Sequence, residues 1–373
     1  MNFAFSDEQE FLRETAREFL QRESPMTRVR ELMETDAGFD RELWKKMAEL
    51  GWIGLLIPEE YGGAGLDFVD LVVVLEEMGR SLLPSPFFGN LQGTLAVLKA
   101  GSDTQRKDIL TQVASGERIL TLAITEQAGS EAADDLAARA VRDGSVYKIS
   151  GTKMFVPDAQ NADTFVVVAR TGGPGEHGLS LLLVDGNAAG VSITPLASMD
   201  QTRRIAEVRF DETPAELLGA ENAGFATWAW VRDRALVALA ADAIGGAESV
   251  LDASVAYAKE RIQFGKPIGV HQAIKHRCAD MLIEVESSKS ITHYAAWAVA
   301  EEIADAELSC AMAKAYTSDA YRHCSAENIQ IHGGVGFTWE YDCHLFFKRA
   351  KAVEVTYGDA TLHRERVASL MQL

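Results

Sequence analysis

Three short segments carry the residue types that can hold a flat, anionic ligand. Thr125-Glu126-Gln127-Ala128-Gly129-Ser130-Glu131 sets two hydroxyls in a turn of small residues. Main-chain amides can approach a ligand there, and the hydroxyls can donate to it. Glu260-Arg261-Ile262-Gln263-Phe264-Gly265-Lys266-Pro267-Ile268 puts a guanidinium near an aromatic at a Gly/Pro break, and Gln330-Ile331-His332-Gly333-Gly334-Val335-Gly336-Phe337 puts three glycines at the end of a helical stretch. Backbone without a Cβ can lie close to a flat or charged partner. Taken singly, the three read as a surface turn, a helix-ending turn and a helix C-cap. Gly173-Pro174-Gly175-Glu176-His177-Gly178 formally matches GxGxxG, but a strand-like run follows it where the dinucleotide turn needs a helix, so it reads as a hairpin loop. HExxH, GK[ST] and GxSxG patterns do not occur, which sets aside the local signatures of zincins, P-loop enzymes and serine hydrolases. No metal site is expected.

The elements that must position these segments fall into three zones. Residues 1–120 read as an N-terminal helical domain: Ser6-Asp7-Glu8-Gln9 is a capping-box pattern, and Phe11, Leu12, Ala16, Phe19 and Leu20 follow at helical spacing. Residues 121–221 change character. Phe165-Val166-Val167-Val168 and Leu181-Leu182-Leu183-Val184 are strand-like runs, and Asp143-Gly144 sits where a tight hairpin is needed. This is a mostly antiparallel β-domain. Residues 222–373 return to long helical patterns broken at Gly265-Lys266-Pro267 and Gly333-Gly334. Helices, then strands, then helices make an α+β chain of separate layers rather than a doubly wound sheet.

Composition narrows the partners. Thirty-six Lys and Arg against 55 Asp and Glu give a formal charge of −19 over 373 residues, so the average field repels nucleic acid and anionic membrane surfaces. Ala235 to Ala247, the most apolar long stretch, contains Asp242 and is too short to span a hydrocarbon core of about 30 Å. Four scattered cysteines without a CxxC pair, and a start that turns acidic at Asp7-Glu8, fit a reducing cytoplasm without a signal peptide.

In this order and on these elements, the three segments resemble the acyl-CoA dehydrogenase family. Pro58-Glu59-Glu60-Tyr61-Gly62-Gly63-Ala64-Gly65 is similar to its P-E-x-Y-G-G-x-G loop, Ser150-Gly151-Thr152-Lys153 to its N-G-x-K turn, and His271 to His276 to the segment following R-x-x-F-G. The resemblance implies an N-terminal helical domain, a barrel-like middle β-domain and a C-terminal four-helix bundle with FAD between them. It implies Leu122, Ile124 and Thr125 along the isoalloxazine, with Thr125 hydrogen-bonding the flavin. Gly129 and Ser130 would sit by the flavin phosphate and the thioester. Phe155 stands for the usual Trp, Pro157 for the usual Thr or Ser near N5, and Gln127 for the usual Pro. Arg261, Gln263, Phe264, Gln272, Gln330, Gly333 and Gly334 match positions that reach the FAD of a neighbouring subunit. The implied assembly is a homotetramer or a heterotetramer with a related subunit, and the implied acceptor is an electron-transfer flavoprotein.

Desaturating an acyl thioester needs a base for the α-proton, and both of the family's usual Glu positions lack an acid here. Tyr357, in Val355-Thr356-Tyr357-Gly358-Asp359, fills one, and Ala235 matches the other. A phenol with an ordinary pKa of ~10 is a poor base at neutral pH. Asp233, Asp242 and Asp359 lie nearby in sequence, and Asp233 is the favoured base; CoA binding is its competing role. Two readings follow: an FAD-dependent dehydrogenase with a displaced Asp, or a non-catalytic or half-site subunit whose partner supplies the base. Flavin oxidases and hydroxylases sharing the fold form a third class.

Overall fold

Six helices form the first zone of the computed structural model, which describes residues 5–373: α1 (Asp7–Glu23), α2 (Met26–Met33), α3 (Arg41–Glu49), α4 (Phe68–Arg80), α5 (Phe87–Ala100) and α6 (Asp103–Ala114). Met1 to Ala4, part of the acidic start read above, lie outside the described residues. The expected capping box forms: Ser6 Oγ accepts from the Gln9 amide at 3.2 Å, and Gln9 Oε1 accepts from the Ser6 amide at 3.0 Å. Two of a helix's four orphan donors are met in such a box. α4 is buried along almost its whole length, which makes it the central helix of this layer.

Seven strands follow: β1 (Leu120–Ala123), β2 (Arg139–Asp143), β3 (Val146–Pro157), β4 (Thr164–Arg170), β5 (Leu179–Asp185), β6 (Val191–Pro195) and β7 (Ile205–Leu218). β2 and β3 form the hairpin expected at Asp143-Gly144, and β4 and β5 form the one expected around Gly173 to Gly178. The sheet closes on itself in the order β4, β2, β3, β7, β5 and back to β4. Its seam between β2 and β4 is one parallel pairing, Arg139 with Arg170. β1 also runs parallel to β4, while the remaining pairings of the sheet are antiparallel, as expected of a mostly antiparallel domain. The barrel has its own core around Ile149, Phe165, Val167 and Phe210, with Phe165 and Phe210 packed edge to face at 6.1 Å.

The last zone holds α7 (Gly224–Glu260), α8 (Gln272–Ala300), α9 (Ala306–His332), α10 (Cys343–Val355) and α11 (Ala360–Leu370). α9 packs on all four others. Between α7 and α8 the chain makes a small hairpin, β8 (Ile262–Gln263) with β9 (Lys266–Pro267).

Two features lock the zones together. α4 crosses α7 backbone to backbone: a Cβ at Gly79 would lie 2.0 Å from the Asp242 carbonyl oxygen, and one at Gly245 would lie 1.8 Å from that of Glu76. Any side chain at either place would force the helices apart. Buried Arg349 on α10 donates to Asp200 (2.8 Å) before β7 and to Asp242 on α7 (3.0 Å), and Arg203 adds a second bond to Asp242 at 2.7 Å. No helix among the described residues is long and apolar enough to cross a membrane.

Candidate active site

The turn after β1 is fixed by a buried ion pair. Lys153 on β3 is fully buried, and its Nζ donates to Glu126 Oε1 (2.7 Å) and to the Ile124 carbonyl (2.9 Å). Burial lowers the Lys153 pKa to about 8, against the opposing charge of Glu126. Glu126 also accepts from the amides of Ala137 and Ala138, so every strong donor around it is met. This pins Thr125 at the barrel rim next to β3, where the Met154 amide donates to the Thr125 carbonyl at 2.8 Å.

Phe155 stands beside that rim in the left-handed backbone region (φ 55°) with half of its surface exposed. Pro157 ends β3, and its carbonyl accepts from Thr121 Oγ1 at 2.6 Å. Leu122 and Ile124 are buried beneath the rim, and Gly129 and Ser130 lie on the open turn. The middle-domain residues expected at one site are thus neighbours. Sequence reasoning gave Glu131 no role of its own. Thr125 Oγ1 donates to Glu131 Oε1 at 2.9 Å, and burial raises the Glu131 pKa, with Thr125 and Arg232 opposing.

Facing this rim, the turn between α10 and α11 presents Tyr357, itself left-handed at φ 57°. Its ring packs edge-on to Trp228 of α7 (5.1 Å) and tilted to Phe88 of α5 (6.3 Å), and its hydroxyl donates to Gln92 Oε1 on α5. Burial pushes the phenol pKa well above its ordinary value, and the charge of Glu131 adds to that rise. The turn is tied down by two buried bases. Lys314 Nζ donates to the carbonyls of Glu354 (3.0 Å) and Gly358 (2.8 Å), and His363 Nε2 lies 2.9 Å from the Tyr357 carbonyl. Gln92 is the sign that sequence could have offered, a glutamine in the apolar face of α5.

Each of the three candidate carboxylates already has partners of its own. Asp233 Oδ1 accepts from Arg366 Nη2 (2.6 Å) on α11 and from Arg232 (3.3 Å), so α11 and a neighbouring guanidinium hold it. Asp242 is the buried partner of Arg349 and Arg203 described above. Asp359 is exposed and caps α11, accepting from the Leu362 amide at 3.0 Å. Ala235 is fully buried.

The second group of expected residues forms a separate patch. Tyr257 near the end of α7 stacks on His332 at the end of α9, with ring centres 4.1 Å apart. That contact places Arg261 and the β8–β9 hairpin in the same region as Gln330, Gly333 and Gly334. Arg261, Gln263, Gln272, Gln330, Gly333 and Gly334 are exposed. Phe264 is 95% exposed and left-handed (φ 51°).

These residues fit a large flat group with an anionic tail. A left-handed non-glycine residue costs of order 1–3 kcal/mol, and a bulky aromatic left in water offsets none of it. Phe155 and Phe264 carry that cost on the outside of the chain. Covering a phenylalanine fully is worth about 1.5–3 kcal/mol, so the strain is balanced when something lies on each ring. Arg261, exposed beside Phe264, supplies a fork for an anion.

Comparison with known proteins gives three consecutive matches: acyl-CoA dehydrogenase N-terminal domain over residues 6–117, middle domain over 121–213 and C-terminal domain over 222–371. The chain is 34% identical over 347 residues to the acyl-CoA dehydrogenase IpdE2 of Mycolicibacterium smegmatis, covering 92% of this chain and 93% of that protein. Among solved structures it is similar to a variant of the Tcur3481-Tcur3483 steroid ACAD (TM-score 0.89, 32% identity, 98% of each chain). It is also similar to a chain of the ChsE4-ChsE5 complex from Mycobacterium tuberculosis (TM-score 0.91, 27% identity, 100% of this chain and 99% of that one).

Proposed function

The chain belongs to the acyl-CoA dehydrogenase family, and from that premise we propose that it binds FAD between the barrel rim and the Tyr357 turn and desaturates an acyl-CoA thioester at Cα and Cβ. When bound, FAD supplies the hydride acceptor for such a reaction. The observation that carries the reading is the pair of exposed, left-handed phenylalanines, Phe155 and Phe264, at two positions where the family meets its flavin. In this reading Thr125 turns its hydroxyl from Glu131 to the ring, while Gly129 and Ser130 lie against the phosphate and the thioester. Leu122 and Ile124 back the rim, and Pro157 lines it without a donor of its own. Arg261, Gln263, Phe264, Gln272, Gln330, Gly333 and Gly334 serve the cofactor of a neighbouring subunit, which requires at least a dimer and in this family a tetramer. Electrons leave to an electron-transfer flavoprotein, and the setting is cytoplasmic.

The α-proton acceptor proposed is Asp233, released from Arg366 when substrate enters. A second reading is favoured by the Tyr357–Gln92 bond and by the pairing of Asp233. In it, this chain is the half-site or non-catalytic subunit of a heterotetramer and a related subunit brings the base. The similar ChsE4-ChsE5 structure is itself a complex of two named chains. The deciding experiment adds straight-chain, branched and steroid-like acyl-CoA thioesters anaerobically to the FAD-loaded chain and follows the visible flavin band. Bleaching establishes single-chain dehydrogenation. Bleaching that appears only after a co-purifying second chain is added establishes the subunit reading.

A further inference from the structure

Lys314 is buried to the last atom, and no carboxylate pairs with it among the described residues. A charge so placed is costly unless it is compensated. Its compensation is two main-chain oxygens, the Glu354 carbonyl in the last turn of α10 and the Gly358 carbonyl one residue beyond Tyr357. A helix C-terminus is the favourable end for a cation. Here the cation comes from a different helix, α9, and reaches the one turn of chain that carries Tyr357. We propose that Lys314 is a positioning residue of the active site: its two hydrogen bonds close the α10–α11 turn and thereby hold Tyr357 against Trp228 with its hydroxyl on Gln92.

Within the turn the Gly358 amide donates to the Val355 carbonyl at 3.3 Å, a local bond that does not tie the turn to the rest of the bundle. His363 also ties the turn, through the Tyr357 carbonyl, but it does so from α11, whereas Lys314 reaches the turn from a third helix, α9. Asp359 is spent on capping α11. The left-handed backbone at Tyr357 (φ 57°) is disfavoured for an aromatic residue and needs restraint from both sides of the turn. The groups facing Lys314 are Glu354 on α10, Asp359 and His363 on the α11 side, and Asp319 on its own helix. Burial lowers the Lys314 pKa to about 7, against the opposing charges of Glu354, Asp359 and Asp319, and burial lowers His363 to about 4. Lys314 is thereby placed to change charge near neutrality. Deprotonation replaces two charge-assisted bonds by ordinary ones, about half as strong.

The inference rests on reading the Tyr357 turn as the wall facing the thioester, and its test separates the two claims. Amide exchange of residues 355–359 in the full-length protein, corrected for intrinsic rates, is expected to quicken across a midpoint near pH 7. Lys314→Met is expected to exchange at least tenfold faster at pH 6, to lose the midpoint, and to shift the emission assigned to Trp228 by difference from Trp228→Phe. Affinity for a non-reactive CoA thioether is expected to fall at least tenfold in the same variant. Equal exchange and emission in wild type and Lys314→Met, or a wild-type pH course without a midpoint, would overturn the role of Lys314. Should Lys314→Met not fold, the wild-type pH course decides alone. A wild type that shows the midpoint but binds no thioether upholds the turn and defeats the functional reading instead.

Discussion

The hydroxyl of Tyr357 donates to Oε1 of Gln92, a contact between residues 265 apart in sequence that joins the turn after α10 to α5 across the N- and C-terminal zones. Gln92 is fully buried, and its amide nitrogen is already given to the Phe88 carbonyl at 3.3 Å. Tyr357→Phe therefore strands a buried acceptor and is expected to cost about 1–3 kcal/mol in urea unfolding. Adding Gln92→Leu removes the stranded group and should recover most of that loss. A double variant as unstable as the sum of the singles would refute the pairing.

Tyr357→Glu tests the chemistry of the same place. In the dehydrogenase reading it supplies a carboxylate where the phenol is held protonated, and it should speed flavin bleaching by at least tenfold. Asp233→Ala in the wild-type background should abolish bleaching while FAD stays bound. Undiminished bleaching in that variant rejects Asp233 as the proton acceptor.

Phe155 and Phe264 give a prediction in which fold and function move apart. Phe155→Gly removes left-handed strain and is expected to leave unfolding free energy unchanged or raised by about 1 kcal/mol. FAD retention on gel filtration should nevertheless fall. Phe264→Ser, at a side chain 95% exposed in the single chain, should leave the helical content intact while shifting sedimentation toward smaller species.

Arg349→Met withdraws the donor shared by Asp200 and Asp242. Two buried carboxylates then lose their common partner, and the expected loss is about 3–5 kcal/mol. Calorimetry checks this directly. A fall of less than 1 kcal/mol would mean that Arg203 suffices for Asp242.

His363 makes an acid-side prediction. Burial holds its pKa at about 4, with Lys314 adding to the depression, below the ordinary 6.5. Between those values the unfolded chain binds the extra proton, so this group makes stability rise as pH climbs from 4 to 6.5, with its full contribution above that. His363→Gln should flatten this part of the slope in urea midpoints taken at pH 4.5, 5.5 and 6.5.

Much of the frame was legible because its causes are local. A serine three residues before a glutamine caps α1, and Asp143-Gly144 turns β2 into β3. The rim residues were reached through the family resemblance instead: Thr125 lies in the turn after β1 and Phe155 near the end of β3, and neither position is marked by its local pattern. The facing wall was not legible. Gln92 meets Tyr357 and Arg366 meets Asp233, 133 residues apart, only after three zones have folded together. Lys314 sits among alanines with no pattern to mark it, and the cost of its burial is visible only once α10 has ended beside it. Periodicity places an aspartate on a helix, but it does not say which guanidinium claims it.

The reciprocal crossing of α4 and α7 at Gly79 and Gly245 bears on how a substrate enters. With each backbone seated in the other's notch, neither helix can slide along the other by a turn without a backbone collision. The two helical layers are therefore fixed in register, and in the proposed function a thioester is not admitted by one layer sliding past the other. Under that reading, rotamer changes at the rim and in the short turn around Tyr357 are the motions that leave this crossing undisturbed.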